Sequence, residues 1–279
     1  MARINVDKTK SIYGFLWTKN GNVKPSEGYH FNRMQEVVLE EIVRGSWGID
    51  VGSGCGYDTY VMAKSNSSVK IVSMDISDGV YTNLKLNRDL PNVYIIKGSA
   101  LHIPFKEGVF DFAYSFGVLH HTPDPQKGLS EITRIIKDKS PAFLYLYEDH
   151  SENTVKYIAI KIINIIRRIT IKIPPKILYV LSLLASPLIF IFFSCPSKIL
   201  KRFESTAKFA EKIPFNFGDS FFSLRGDLYD RFGAPIEHRF SRKKINDMFD
   251  RCSISNISIT RLKATAGWVV WGYKKYKNA

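Results

Sequence analysis

A glycine-rich turn constrains this chain more than any other feature. Ile49-Asp50-Val51-Gly52-Ser53-Gly54-Cys55-Gly56-Tyr57 closes a short apolar run that begins at Trp47, and the next apolar run ends on Asp75. Glycine takes positive φ without steric cost and leaves room for a ligand beside the backbone. An acidic side chain after the second strand can accept hydrogen bonds from both hydroxyls of a ribose. The two features together point to a nucleoside-bearing cofactor. A dinucleotide-binding turn carries G-x-G-x-x-G. Counted from Gly52, its third glycine falls on Tyr57. The spacing here is G-x-G-x-G, which disfavours a nicotinamide-dependent dehydrogenase.

Two further blocks follow in order. One is Lys97-Gly98-Ser99-Ala100-Leu101-His102-Ile103-Pro104-Phe105. The other is Phe110-Asp111-Phe112-Ala113-Tyr114-Ser115, continued by Phe116-Gly117-Val118-Leu119-His120-His121-Thr122-Pro123-Asp124. With the glycine turn and Asp75, these blocks resemble the first four motifs of the class I S-adenosylmethionine-dependent methyltransferases. The resemblance implies S-adenosylmethionine as cofactor. It implies that Asp50, Gly52, Gly54 and Gly56 form the turn against the methionine part, and that Asp75 and Ile76 hold the ribose. Ser99, Ala100 and Leu101 then border the adenine, and Ser115 closes the group. Most relatives have an acid where Ser99 stands, so backbone groups of Ala100 and Leu101 take over that contact. The turn before the fifth strand is normally Pro-Gly-Gly in this family and is Lys139-Ser140-Pro141 here.

The periodicity fits a doubly wound α/β sheet of seven strands, the Rossmann-like form of this family. Strands are expected over residues 47–51, 69–74, 93–96, 110–115 and 142–147, with a closing pair over 254–262 and 268–273. Helices are expected over 31–44, 57–64 and 79–90. Asp124 and Pro125 start another as N-cap and first-turn proline, and Ser241 caps a last one over 242–249.

Residues 155–203 do not belong to that pattern. They hold nine Lys or Arg and no acid, whereas the whole 279-residue chain is +14. An isoleucine stripe over 158–173 ends at Pro174-Pro175, and residues 177–197 then carry no charge. Three readings stand: a helical lid over the substrate, a basic apolar surface lying in a membrane interface, and a span, which needs about 20 apolar residues. Pro187 and Ser182, Ser186 and Ser194 make a straight span less natural. Bases interleaved with isoleucine suit lipid better than a phosphate backbone, so nucleic acid is disfavoured as a partner. The expected organisation is an N-terminal flap and first helix at 1–44, a cofactor-binding core at 45–150, the insert at 151–225, and a completing hairpin at 226–279.

Methyl transfer from a sulfonium is an in-line displacement, so the protein mainly aligns the acceptor. An O–H or N–H acceptor also loses a proton, which an imidazole can take. His121, with His120 behind it, is the expected general base. No metal is expected, because the six histidines and the acids show no ligand spacing. The three cysteines are scattered, and the first residues lack the apolar core of a signal peptide, so the expected setting is cytoplasmic, or peripheral at the cytoplasmic face of a membrane. The acceptor is expected to be small or lipid-linked. Two alternatives remain: a non-catalytic, cofactor-binding accessory protein, and an RNA methyltransferase.

Overall fold

The computed structural model describes residues 2–20, 46–261 and 267–276. The helix expected over 31–44 lies outside them, as do Glu27 to His30. The chain forms two units, Met1–Glu148 with Ile236–Ala279, and Asp149–Pro235. The insert thus runs ten residues beyond position 225, because the helix ending at Gly233 packs within it rather than with the sheet.

The first unit is a seven-stranded sheet in the order β3-β2-β1-β4-β5-β7-β6. Its strands are β1 (Trp47–Val51), β2 (Lys70–Asp75), β3 (Val93–Lys97), β4 (Phe112–Phe116), β5 (Pro141–Tyr147), β6 (Ile254–Arg261) and β7 (Gly267–Lys274). The first five run parallel, and β7 enters antiparallel beside β5, pairing Ala142 with Gly272 and Tyr147 with Gly267. Parallel strands are buried on both faces and therefore read as continuous apolar runs. Alternate residues serve opposite layers. Ile49, Val51 and Val72 join one apolar cluster with Leu129, Ile132 and Phe249. Phe112, Tyr114 and Phe143 join the other with Met62 and Ile71. Gly48 is glycine for a packing reason, since a Cβ there would collide with the Phe112 ring.

Helices of this unit are α1 (Ala2–Asn20), α2 (Tyr57–Ser65), α3 (Gly79–Asn87), α4 (Pro125–Ile135) and, near the C-terminus, α10 (Arg242–Arg251). The expected N-caps form: Asp124 Oδ1 accepts from the Lys127 N–H at 2.9 Å, and Ser241 Oγ from that of Lys244 at 3.3 Å. The fourth strand starts two residues later than expected, because Phe110 joins only an isolated bridge to Ile136. The unusual turn before β5 places Lys139 at φ 61. Beside it the buried Lys274 donates to the Ile136 carbonyl at 2.9 Å, satisfying a group that the end of α4 leaves open.

The second unit is helical: α5 (Thr154–Thr170), α6 (Pro175–Ile189), α7 (Cys195–Leu200), α8 (Glu204–Ala210) and α9 (Arg225–Gly233). Pro175 starts α6 at its first turn, where a missing N–H costs nothing. A wide π-turn over Phe190–Ser194 joins α6 to α7, with the Cys195 N–H bonded five residues back to Phe190. Pro196 follows at once and can make no bond to the carbonyl four residues before it; widening the turn accommodates such a residue without a break.

Candidate active site

The site is built at the carboxyl ends of β1, β2 and β4, where the chain leaves the sheet. Gly52, Gly54 and Gly56 all have positive φ, at 89°, 56° and 82°. The turn is held from two sides. The Gly52 and Ser53 N–H groups both donate to the Met74 carbonyl, at 2.7 and 3.0 Å. Asp75 Oδ2 accepts from the Gly54 N–H at 2.8 Å, and Oδ1 from the Ser77 N–H at 2.7 Å. Each carboxylate oxygen has two acceptor sites, so both keep capacity for ribose hydroxyls.

Beneath the turn lies a buried polar network that motif reading did not find. Thr59 Oγ1 donates to Asp50 Oδ2 at 2.6 Å and lies 2.7 Å from Ser73 Oγ. Asn83 Nδ2 donates to the hydroxyls of Ser73 and Ser53 at 2.8 and 3.1 Å. Asn87 Nδ2 donates to the Gly56 carbonyl at 3.2 Å and to Asn83 Oδ1 at 2.8 Å. Asp50 is 2% exposed, and burial pushes its carboxyl well above the usual range. The structure therefore places Asp50 below the turn, as a support. A Cβ on Gly56 would run into the Asn83 amide. The sequence signal was present in α3, where Asn83 and Asn87 stand four apart on the face that also carries Val80 and Leu86.

The third motif is fixed from α4. Glu131 Oε2 accepts the Ile103 N–H at 2.9 Å, and Arg134 donates to the carbonyls of Phe105 and Ile103 at 2.7 and 3.0 Å. The two side chains also pair with each other at 2.9 Å. The pair holds the Glu131 carboxyl at about 2, Arg134 being the main cause. Ser99 Oγ accepts the Leu101 N–H at 3.2 Å, which fixes the backbone of that loop; Ala100 beside it is buried. Ser115 is buried and donates to the Val51 carbonyl at 2.7 Å, tying β4 to β1.

After β4, Gly117 turns the chain at φ 78 into a short 3-10 turn, Leu119–His121. His120 is fully buried and stacks on Tyr147 with ring centroids 3.8 Å apart, which is a packing role. His121 Nδ1 lies 2.8 Å from the Ile236 carbonyl. A carbonyl only accepts, so Nδ1 carries the proton and the basic lone pair sits on Nε2. Tyr13 of α1 lies 5.0 Å from the His121 ring.

A cleft of about 520 Å³ opens beside Asp75, lined by Ile76, Ser77, Asp78 and Lys97 and by Gly14 and Phe15 of α1. Its size is that of small-molecule sites. The glycine turn and the Asp75 carboxylate fit a nucleoside carrying an amino acid. Tyr13 to Trp17 belong to α1, and the Trp17 indole lies so close to the turn that a Cβ on Gly54 would be 2.8 Å from it. Cys55 is buried and its thiol is pushed up to about 12, so it is not a nucleophile. Among the described residues no group of three His, Cys, Asp or Glu side chains gathers as a metal site.

Residues 49–144 match the family model described as a methyltransferase domain. Over 129 residues the chain is 30% identical to 2-methyl-6-phytyl-1,4-hydroquinone methyltransferase of Spinacia oleracea, covering 45% of this chain and 37% of the relative. Over 124 residues it is 24% identical to demethylmenaquinone methyltransferase of Staphylococcus carnosus, covering 43% and 51%. The tRNA U34 carboxymethyltransferase of Ruthia magnifica matches over 102 residues at 33%, covering 34% and 31%. The chain thus spans between about a third and a half of the length of these curated relatives. Among solved structures, human N-acetylserotonin methyltransferase with S-adenosylmethionine superposes with TM-score 0.53 at 11% identity, covering 98% and 57%. A chain solved in complex with the Trm112 methyltransferase activator of Haloferax volcanii superposes with TM-score 0.56 at 12% identity, covering 96% and 99%. These two likenesses concern the fold.

Proposed function

We propose that this chain, whose residues 49–144 match a methyltransferase domain, is a class I S-adenosylmethionine-dependent methyltransferase that methylates an apolar, quinol-like small molecule at oxygen or at a ring carbon. The observation that carries the proposal is the His121 geometry: Nδ1 is anchored to the Ile236 carbonyl, which puts the basic lone pair on Nε2, in the turn that follows β4. The names of the relatives supply the acceptor class, a hydroquinone and a menaquinone precursor.

When bound, the cofactor supplies an electrophilic methyl on a positively charged sulfur. The Gly52 to Gly56 turn and Asp75 would hold it, with Ile76, Ser99, Ala100 and Leu101 along the nucleoside. His121 takes the proton of the acceptor hydroxyl on Nε2, which raises electron density on that oxygen and the adjacent ring carbons and readies either to accept a methyl group. At a ring carbon, that carbon's own proton would then leave to solvent while His121 returns its proton to the oxygen. Trp17 and Tyr13 of α1 exclude water on the side of the turn and of His121. Alignment supplies most of the rate, and the base about 10²–10⁴-fold.

The test is transfer of labelled methyl to a short-chain hydroquinone, with tRNA as the competing acceptor. Label in the quinol that falls at least about a hundredfold in His121→Asn supports the proposal. Label in tRNA alone, or in neither while cofactor binds, refutes it.

A further inference from the structure

The second unit is built inside out for water. α6, the π-turn and α7 form one continuous stretch, Pro175–Leu200, whose most apolar 18 residues have a mean hydropathy of 2.3 and are only 22% buried. A helix in a water-soluble protein turns its apolar stripe inward. Here Ser182, Ser186, Ser194 and Ser197 are the buried residues, together with Leu178. Ile177, Val180, Leu184, Leu188, Phe192 and Ile199 face outward. Three of the inward serines donate to carbonyls: Ser182 to that of Leu178 at 2.9 Å, Ser194 to that of Phe215 at 2.5 Å and Ser197 to that of Ala210 at 3.0 Å. Small residues inward and large apolar ones outward is the pattern of helices surrounded by lipid.

α5 repeats it. Val155, Ile158, Ile162, Ile165 and Ile169 recur at helical spacing and are all exposed, Ile165 by 62% and Ile169 by 69%. Lys161, Arg168 and Lys172 stand exposed beside that stripe. Residues 155–203 hold nine bases and no acid, and Lys161, Arg168, Lys172, Lys176, Lys201 and Arg202 are exposed.

We propose that this unit docks on the surface of a bilayer containing anionic phospholipid, with the outward stripes of α5 and of α6–α7 in the acyl boundary and the bases among the headgroups. Charge selects the occupant. A second copy would bring nine more bases against these, and RNA offers nothing to the isoleucines. The inner side of α6 sets the depth. It packs on α9, whose Asp227 and Arg231 pair at 3.1 Å, and Arg225 of α9 lies 5.0 Å over the Tyr179 ring. A crossing helix would carry those charges into hydrocarbon, which is costly. The helix therefore lies along the surface.

The test is flotation of the full chain with vesicles of neutral phosphatidylcholine, alone or with about one third phosphatidylglycerol. It needs neither cofactor nor acceptor, so its result is independent of the methyl-transfer reading. Binding to the anionic vesicles should exceed binding to neutral ones at least about tenfold. It should fall by a similar factor in Ile162→Gln/Ile165→Gln/Ile169→Gln and in Lys161→Glu/Arg168→Glu/Lys172→Glu, and alkaline carbonate should release it. Circular dichroism and thermal unfolding of each variant establish that it is folded. No flotation of the folded wild type, or flotation that neither variant weakens, overturns the proposal. So does a concentration-dependent dimer that the glutamine variant dissociates, and resistance to carbonate overturns the surface geometry.

Discussion

Glu131→Gln isolates one charge in the clamp that holds the third motif. The substitution keeps the shape of the side chain and an oxygen able to accept the Ile103 N–H, and it removes the negative charge facing Arg134. In the folded protein the Glu131 carboxyl titrates at about 2 instead of the ordinary 4.5. Such a fall corresponds to about 3 kcal/mol in favour of the ionised folded form. The Arg134 side chain is 34% exposed, and solvent screening reduces the figure to about 2 kcal/mol. At neutral pH the variant should melt roughly 4–8 °C lower. Because the folded carboxyl titrates below the unfolded one, the stabilisation is fully present above the unfolded value and is lost as pH falls from about 4.5 towards 2. Thermal unfolding of both proteins from pH 7 down to pH 2.5 should therefore show two curves that converge in acid. A second readout is the KM for S-adenosylmethionine, which should rise more than kcat falls, since the clamp positions the loop and touches no reacting atom. A melting difference that stays constant with pH, or none at pH 7, refutes the reasoning.

Four other substitutions probe the rest of the site. Asn83→Leu strips the amide that bonds Ser73 and Ser53 and should cost about 2–4 kcal/mol in unfolding experiments, with cofactor affinity reduced at least about tenfold. Trp17 packs on Gly54, so its fluorescence should change when S-adenosylhomocysteine binds, and Trp17→Phe should remove that change while leaving the other three tryptophans. His121→Asn should lower kcat by about 10²–10⁴ with cofactor affinity unchanged. His120→Asn should chiefly lower stability, because His120 stacks on Tyr147 inside the core.

The sheet was legible because parallel strands bury both faces, and the apolar runs ending at Val51, Met74, Ile96 and Tyr147 can hardly be anything else. Asp75 and the glycines were legible because a backbone conformation demanded them. Asn83, Thr59 and Ser73 were not: each is an ordinary helix or strand residue until the fold brings it under the turn. Glu131 and Arg134 were hidden for the same reason, since their partners Ile103 and Phe105 lie about thirty residues upstream. Asp50 was visible, but the sequence pattern alone did not distinguish a side chain touching the cofactor from one supporting the turn from below. The weak amphipathicity of α1 concealed a nineteen-residue helix near the N-terminus. In the insert the run without charge was plain, but the inward serines, the outward leucines and the charged α9 packed on α6 needed coordinates.

The central claim is that the turn at Gly52 to Gly56 and the Asp75 carboxylate bind S-adenosylmethionine. Calorimetric titration of the purified chain with S-adenosylhomocysteine tests it most directly, with NADH and Asp75→Ala alongside. The account predicts micromolar binding at one site, weakened by Asp75→Ala, and none of NADH. Absence of binding to the folded protein, or affinity indifferent to Asp75, contradicts it.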